Sequence, residues 1–217
     1  MALGSVTAFA GTASAASSNH KLKFENCYIE KGSHSWVKTS DSPIDTDNKA
    51  LHIVVPTDGC VDAYTKASLK INRLVGDVTN LSFDFREPAA GGTVTGGSPR
   101  ISILLDNGDV MFADANNCNR PIPVSGGTWG RADFTGGLEA DGDCTIYLNG
   151  VIPYSNTATE SAWDVYAAAN PSRAIVYDFF ITDIPGDYYI DRISLGTGKL
   201  YGKNNSPSGN CTTESSC

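Results

Sequence analysis

Residues 81–86 read Leu81-Ser82-Phe83-Asp84-Phe85-Arg86, with an apolar residue at every second position. Side chains of an extended strand point to its two faces in turn. Leu81, Phe83 and Phe85 therefore share one face, and Ser82, Asp84 and Arg86 share the other. A strand of this kind covers a core on one side only. The same period of two recurs outward along the chain. Ile175, Tyr177, Phe179 and Ile181 alternate with Val176, Asp178, Phe180 and Thr182. Trp129, Arg131 and Asp133 alternate with Gly130, Ala132 and Phe134, and Tyr188, Ile190 and Arg192 with Tyr189, Asp191 and Ile193.

Candidate strands lie near 22–29, 34–38, 50–55, 62–67, 80–86, 100–105, 109–113, 129–134, 144–148, 174–182 and 188–194, and about ten of these are expected to be real. Turn pairs such as Asp58-Gly59, Gly126-Gly127 and Asn149-Gly150 separate them. Asn107-Gly108 between two apolar runs marks a tight hairpin. One helix is expected over 161–169, where Trp163 and Tyr166 stand one turn apart. Thr157-x-x-Glu160 reads as its capping box and Asn170-Pro171 as its stop. The reading is an all-β jelly-roll β-sandwich with one short helix. Its expected core includes Phe83, Phe85, Ile101, Ile103, Ile175, Tyr177, Phe179 and Ile190.

The 217 residues suit one domain, and the hydrophobic share of 41% against 18% charged excludes a disordered chain. A net charge of −8 argues against nucleic acid or an anionic membrane as partner. No apolar run is long enough for membrane insertion. Residues 1–15 read as the remnant of a secretory signal peptide, ending in the small-residue site Ala13-Ser14-Ala15. The β-sandwich domain is expected over 16–201, followed by a polar, cysteine-containing tail over 202–217. Localisation is therefore expected to be secreted or extracellular. Six cysteines and no C-x-x-C pair then favour disulfides over zinc. Nearest-neighbour pairing gives Cys27–Cys60, Cys118–Cys144 and Cys211–Cys217, out of the 15 arrangements that six cysteines allow.

Familiar catalytic signatures are missing. His20, His34 and His52 form no metal-ligand spacing, and no nucleophile elbow, phosphate loop or dinucleotide fingerprint occurs. A glycosidase would need two carboxylates facing one cleft, for which Asp84, Asp106, Asp133 and Asp178 are candidates. Most acidic residues of such a chain are expected to be solvated faces and turn caps.

Phe24-Glu25, the Ala50-Leu51-His52-Ile53 strand and the closing Tyr188-Tyr189-Ile190-Asp191-Arg192-Ile193-Ser194-Leu195 strand stand in an order that resembles galactose-binding-like β-jelly-roll modules among secreted carbohydrate-binding proteins. The Thr79-Asn80-Leu81-Ser82-Phe83-Asp84-Phe85 strand and the Ala168-Ala169-Asn170-Pro171 helix end are similar to those of uncharacterised secreted bacterial jelly-roll proteins. The resemblance implies that the last strand lies beside the first. It also implies a structural Ca²⁺ between them, with Glu25 and Asp191 as side-chain ligands.

A polar strand face carrying aromatics is the second constellation. Trp129 and Arg131 with Asp84 and Arg86, joined by Tyr147 and Asp178, are the candidate ligand-binding residues. Aromatic rings stack on the apolar face of a pyranose, and planar charged groups bond vicinal hydroxyls. Tyr64 and Tyr154 are further aromatic candidates. These features point to a secreted, non-catalytic, lectin-like protein whose partner is a polysaccharide or glycan. A structural or adhesive surface protein is the alternative, and a polysaccharide-degrading enzyme on a jelly roll the second alternative.

Overall fold

The computed structural model describes residues 23–27, 33–39, 49–55, 64–69, 73–86, 99–115, 119–122, 129–135, 145–157, 159–182 and 186–196. The chain is mostly β, with two antiparallel sheets and one helix. The larger sheet has the order β1-β4-β13-β7-β8-β11-β12, formed by β1 (Lys23–Cys27), β4 (Tyr64–Leu69), β13 (Ala174–Thr182), β7 (Arg100–Leu105), β8 (Val110–Asp114), β11 (Thr145–Leu148) and β12 (Ile152–Ser155). A two-residue strand, β5 (Arg73–Leu74), also pairs with β13 and makes this sheet eight-stranded. The six-stranded sheet has the order β2-β3-β14-β6-β10-β9, formed by β2 (Ser33–Lys38), β3 (Lys49–Val55), β14 (Gly186–Leu195), β6 (Leu81–Arg86), β10 (Trp129–Asp133) and β9 (Asn119–Ile122).

The alternation in β6 works as expected. Leu81, Phe83 and Phe85 join Leu51, Ile53 and Val55 of β3 and Ile190 of β14 in one buried cluster. Ile101, Ile103, Leu105, Met111, Ala113, Ile146 and Ile175 of the other sheet enter the same cluster, so the two sheets share a core. The resemblance placed the last strand beside the first, and the topology differs. β14 lies between β3 and β6, whereas β1 pairs with β4 in the other sheet.

In β13 the even reading from Ile175 to Ile181 fails. A bulge falls between Ile175 and Tyr177. Before it, Ile175 pairs with Leu105, and after it Tyr177 pairs with Leu104 and Asp178 with Ile103. Directly opposed residues share a face. One inserted residue therefore reverses which side chains meet the core. Tyr177 is half-buried and falls outside the core, while Asp178 is fully buried beside Ile103. Phe179, expected in the core, is opposite Ser102 in the backbone register, and its side chain lies outside the described residues.

The helix, α1 (Ala162–Ala169), forms where expected, but its cap lies four residues further on. Ser161 Oγ accepts the Asp164 N–H at 3.1 Å and Asp164 Oδ2 accepts the Ser161 N–H at 3.3 Å, a reciprocal capping box. Thr157 Oγ1 instead closes a turn on Glu160 N–H at 3.0 Å. Trp163 and Tyr166 are both buried, with ring centroids 5.9 Å apart.

Asn107-Gly108 closes the β7–β8 hairpin, with Leu105 N–H donating to Asp109 O at 2.9 Å. Asn149 (φ 51°) and Gly150 (φ 70°) turn β11 into β12, a strand unforeseen because it carries Pro153 and is mostly exposed. Asn149 Nδ2 also donates to Asp109 Oδ1 at 2.8 Å, which ties the two hairpins together. That bond, with a second from Asn107, holds the exposed Asp109 carboxyl below its ordinary range. Each of the three cysteine pairings includes at least one cysteine outside the described residues, and the N-terminal remnant over 1–15 and the tail over 202–217 lie outside them altogether.

Candidate functional site

The six-stranded sheet turns a layered polar face away from the core. Its first row crosses four strands in direct register: His52 on β3, Tyr189 on β14, Arg86 on β6 and Trp129 on β10. The His52 and Tyr189 rings stack at 4.6 Å and 16°. The Arg86 guanidinium lies 3.9 Å from the Tyr189 ring centroid and 5.9 Å from that of Trp129. At the open end, His52 Nε2 meets Asp187 Oδ1 at 2.6 Å. Stacked planar cations and aromatics attract through the ring quadrupole, so the row packs against itself.

The second row holds Asp191, Asp84 and Arg131, opposed on β14, β6 and β10. Asp84 is fully buried. Its Oδ1 accepts Arg131 Nε at 2.7 Å and its Oδ2 accepts Arg131 Nη2 at 3.3 Å. Arg192 closes on Oδ2 from the other side through Nε and Nη2. A bulge in β14 between Asp191 and Ser194 makes this reach possible. Arg192 occupies it at φ 45°, a conformation uncommon for a residue with a Cβ. Asp191 Oδ1 steadies the bulge by accepting the Arg192 N–H at 2.8 Å. Burial works against the charge of Arg131, but the hydrogen bond and charge of Asp84, with Asp133 beyond, hold its pKa above the ordinary value. In the third row Ser82 Oγ donates to Asn80 Oδ1 at 2.8 Å and Ser194 Oγ to Asn80 O at 3.2 Å.

The four strand-face candidates Trp129, Arg131, Asp84 and Arg86 therefore do come together. The Asp84 oxygens are taken up by Arg131 and Arg192, and the Arg86 guanidinium packs over the Trp129 and Tyr189 rings. Trp129 retains 2% exposure, so its ring is no open platform for a sugar. Of this set, Arg131 keeps a third of its side chain in solvent.

Tyr147 and Asp178 do not join them. Asp178 faces the shared core, and neither of its oxygens has a hydrogen-bond partner. Burial pushes its carboxyl well above the ordinary range, with the charge of Arg73 offsetting in part. Tyr147 stands on the outer face of the eight-stranded sheet, directly opposite Phe112 of β8. Beside that pair run Val110, Leu104 and Tyr177 in one row and Asp114 with Arg100 in another. Tyr147, Phe112, Leu104, Val110 and Tyr177 are all half-buried, and the Arg100 guanidinium lies 5.5 Å from the Phe112 centroid. Sequence reasoning missed Phe112 and Tyr177. The Asn107-Gly108 hairpin register, which pairs Met111 with the inward-facing Ile103, was the available signal for Phe112. Of the further aromatic candidates, Tyr154 packs edge-on against Tyr166 at 5.0 Å and Tyr64 ends the register of β1 with β4.

The candidate acid pair for a glycosidase is not assembled. Asp84 is locked between two arginines, Asp178 lies in the core, and Asp106 pairs with Arg173 at 3.3 Å on the β7–β8 turn. The two expected calcium ligands stand on strands of different sheets. Glu25 stands opposite Lys66 in one sheet, and Asp191 lies on the outward face of the other. Among the described residues no three His, Cys, Asp or Glu side chains gather into a metal-binding group, and no helix is long and apolar enough to cross a membrane.

No family model matches the chain, and neither a curated protein nor a solved structure is similar to it.

Proposed function

We propose that this chain is a secreted, non-catalytic carbohydrate-binding protein on a jelly-roll sandwich, and that it takes its glycan on the outer face of the eight-stranded sheet. The observation that carries the reading is the opposed pair Tyr147 and Phe112, half-exposed on adjacent strands beside Arg100 and Asp114. A sheet face with half-exposed rings offers stacking to the apolar side of a sugar ring. The sequence motifs of the jelly-roll modules and the signal-like start support secretion and the sandwich.

The test is a glycan and insoluble-polysaccharide binding screen on the full chain, followed by Tyr147→Ala and Phe112→Ala. Each ring contributes about 1 kcal/mol of stacking, so each substitution is expected to weaken binding about fivefold. Saturable binding that survives both substitutions moves the site elsewhere. No binding across a broad panel removes the reading. A structural or adhesive role then leads, favoured by Val151 and Ile152 at 77% and 50% exposure where the turn enters β12, the last strand of this sheet among the described residues.

A further inference from the structure

We propose that β13 has two registers and that the charge on Asp178 selects between them. The described register leaves two polar groups in poor surroundings. Asp178 stands between Leu69 and Ile103, fully buried, with both carboxyl oxygens unbonded. Ser102, also fully buried, has a hydroxyl without a hydrogen-bond partner. Meanwhile Phe179 is placed between Ser68 on β4 and Ser102 on β7.

Sliding the strand by one residue after Ile175 changes the surroundings of both polar groups at once. Asp178 then stands where Phe179 stands now, between Ser68 and Ser102. Phe179 moves between Ala67 and Ile101, and Tyr177 between Leu69 and Ile103. Asp178 then meets a serine on each side, and Phe180 takes the position opposite Lys66 and Arg100. That arrangement restores the period of two that Ile175, Tyr177, Phe179 and Ile181 carry in the sequence. The bulge is not lost but passes beyond Thr182 to the end of the strand. Ile175 keeps its partners Leu105 and Arg73 in both registers.

The two states differ in which form of the carboxyl they tolerate. The charged groups around Asp178 are few. β5 brings Arg73, which acts on it through space, while Lys66 and Arg100 both pair with Ile181 further along the strand. Across the core, the six-stranded sheet offers apolar side chains and the phenol of Tyr188, with Asp84 and Asp191 on its far side. An ionised carboxylate without a partner cannot stay in such a core. The protonated form favours the described register, and the ionised form favours the register in which the Ser102 hydroxyl donates to it. The switch also changes the outer face, which presents Tyr177 in one state and Asp178 in the other. It stands whether or not that face binds sugar.

The experiment is cross-strand NOE mapping of residue 178 by NMR on the isotope-labelled full chain at pH 4 and pH 8. The expected result is contact with Leu69 and Ile103 at pH 4, replaced by contact with Ser68 and Ser102 at pH 8. Between these limits the population ratio changes up to tenfold per pH unit, following the carboxyl titration of Asp178. Asp178→Leu is expected to hold the described register at both values. A single register at both pH values in the unsubstituted chain overturns the proposal. So does a transition whose midpoint departs from the Asp178 carboxyl titration, a criterion that holds even if the Leu variant does not fold.

Discussion

Arg192 reaches the buried carboxylate of Asp84 from a left-handed position inside a strand. Its φ of 45° follows from the bulge after Asp191, and its guanidinium and that of Arg131 clasp Asp84 from two sides. Burying a carboxylate is costly unless its lone pairs are filled, and here Oδ1 and Oδ2 both accept charge-assisted bonds. The strained backbone at Arg192 is thus retained by the interaction it makes possible.

Asp84→Ala is expected to destabilise the fold by about 3 kcal/mol. This is the low end for a broken buried pair, because Arg131 and Arg192 keep contact with water. Urea denaturation reads the loss. Arg131→Ala alone should cost less, since Arg192 still holds the carboxylate. Equal losses would show that the two arginines do not share the task.

Asp178 sets a pH dependence. Its carboxyl titrates above the ordinary 3.8 in the fold, so the unfolded chain ionises first as the pH rises. The stability tied to this group is fully present below the ordinary carboxylate range and is lost as the pH climbs towards the raised value. Asp178→Leu should therefore gain over the parent chain between pH 4 and pH 8, reaching about 1–3 kcal/mol. Thermal melts of both chains across that interval check it, and a gain that does not grow with pH contradicts it.

Ser161→Ala should cost about 1 kcal/mol, because it removes the acceptor for the Asp164 N–H in the helical capping box. Thr157→Ala should cost less, since Thr157 closes only the preceding turn. Amide exchange over 162–169 separates the two, with faster exchange expected for the Ser161 variant.

Gly150→Ala should cost about 1 kcal/mol although nothing crowds the added methyl. The cost comes from its φ of 70°, which a residue with a Cβ adopts reluctantly. Gly150→Asn, which tolerates the left-handed region better, should recover part of it in a thermal melt.

The sequence by itself determined the class of the protein and much of its layout. Alternation at 81–86 named Leu81, Phe83 and Phe85 as core, the Asn107-Gly108 pair named a hairpin, and Trp163 with Tyr166 named the buried side of the helix. These are local matters, settled by side-chain period and turn chemistry within a few residues. It also placed Trp129, Arg131, Asp84 and Arg86 on one polar face, because cross-strand neighbours inherit the alternation of their own strands.

Only the tertiary structure decided what the bulges and the pairing order fix. A bulge is one extra residue, invisible to periodicity, yet it reverses every side chain beyond it, and so Asp178 went to the core and Tyr177 to the surface. The bulge at Arg192 likewise supplied the second clamp on Asp84. Sheet order is non-local: β14 is flanked by β3 and β6, which separated Asp191 from Glu25 and left Tyr147 on a different sheet from Trp129. Whether an aromatic ring such as Trp129 or Phe112 is covered or open depends on which strands lie beside it, and that is a property of the assembled sheets.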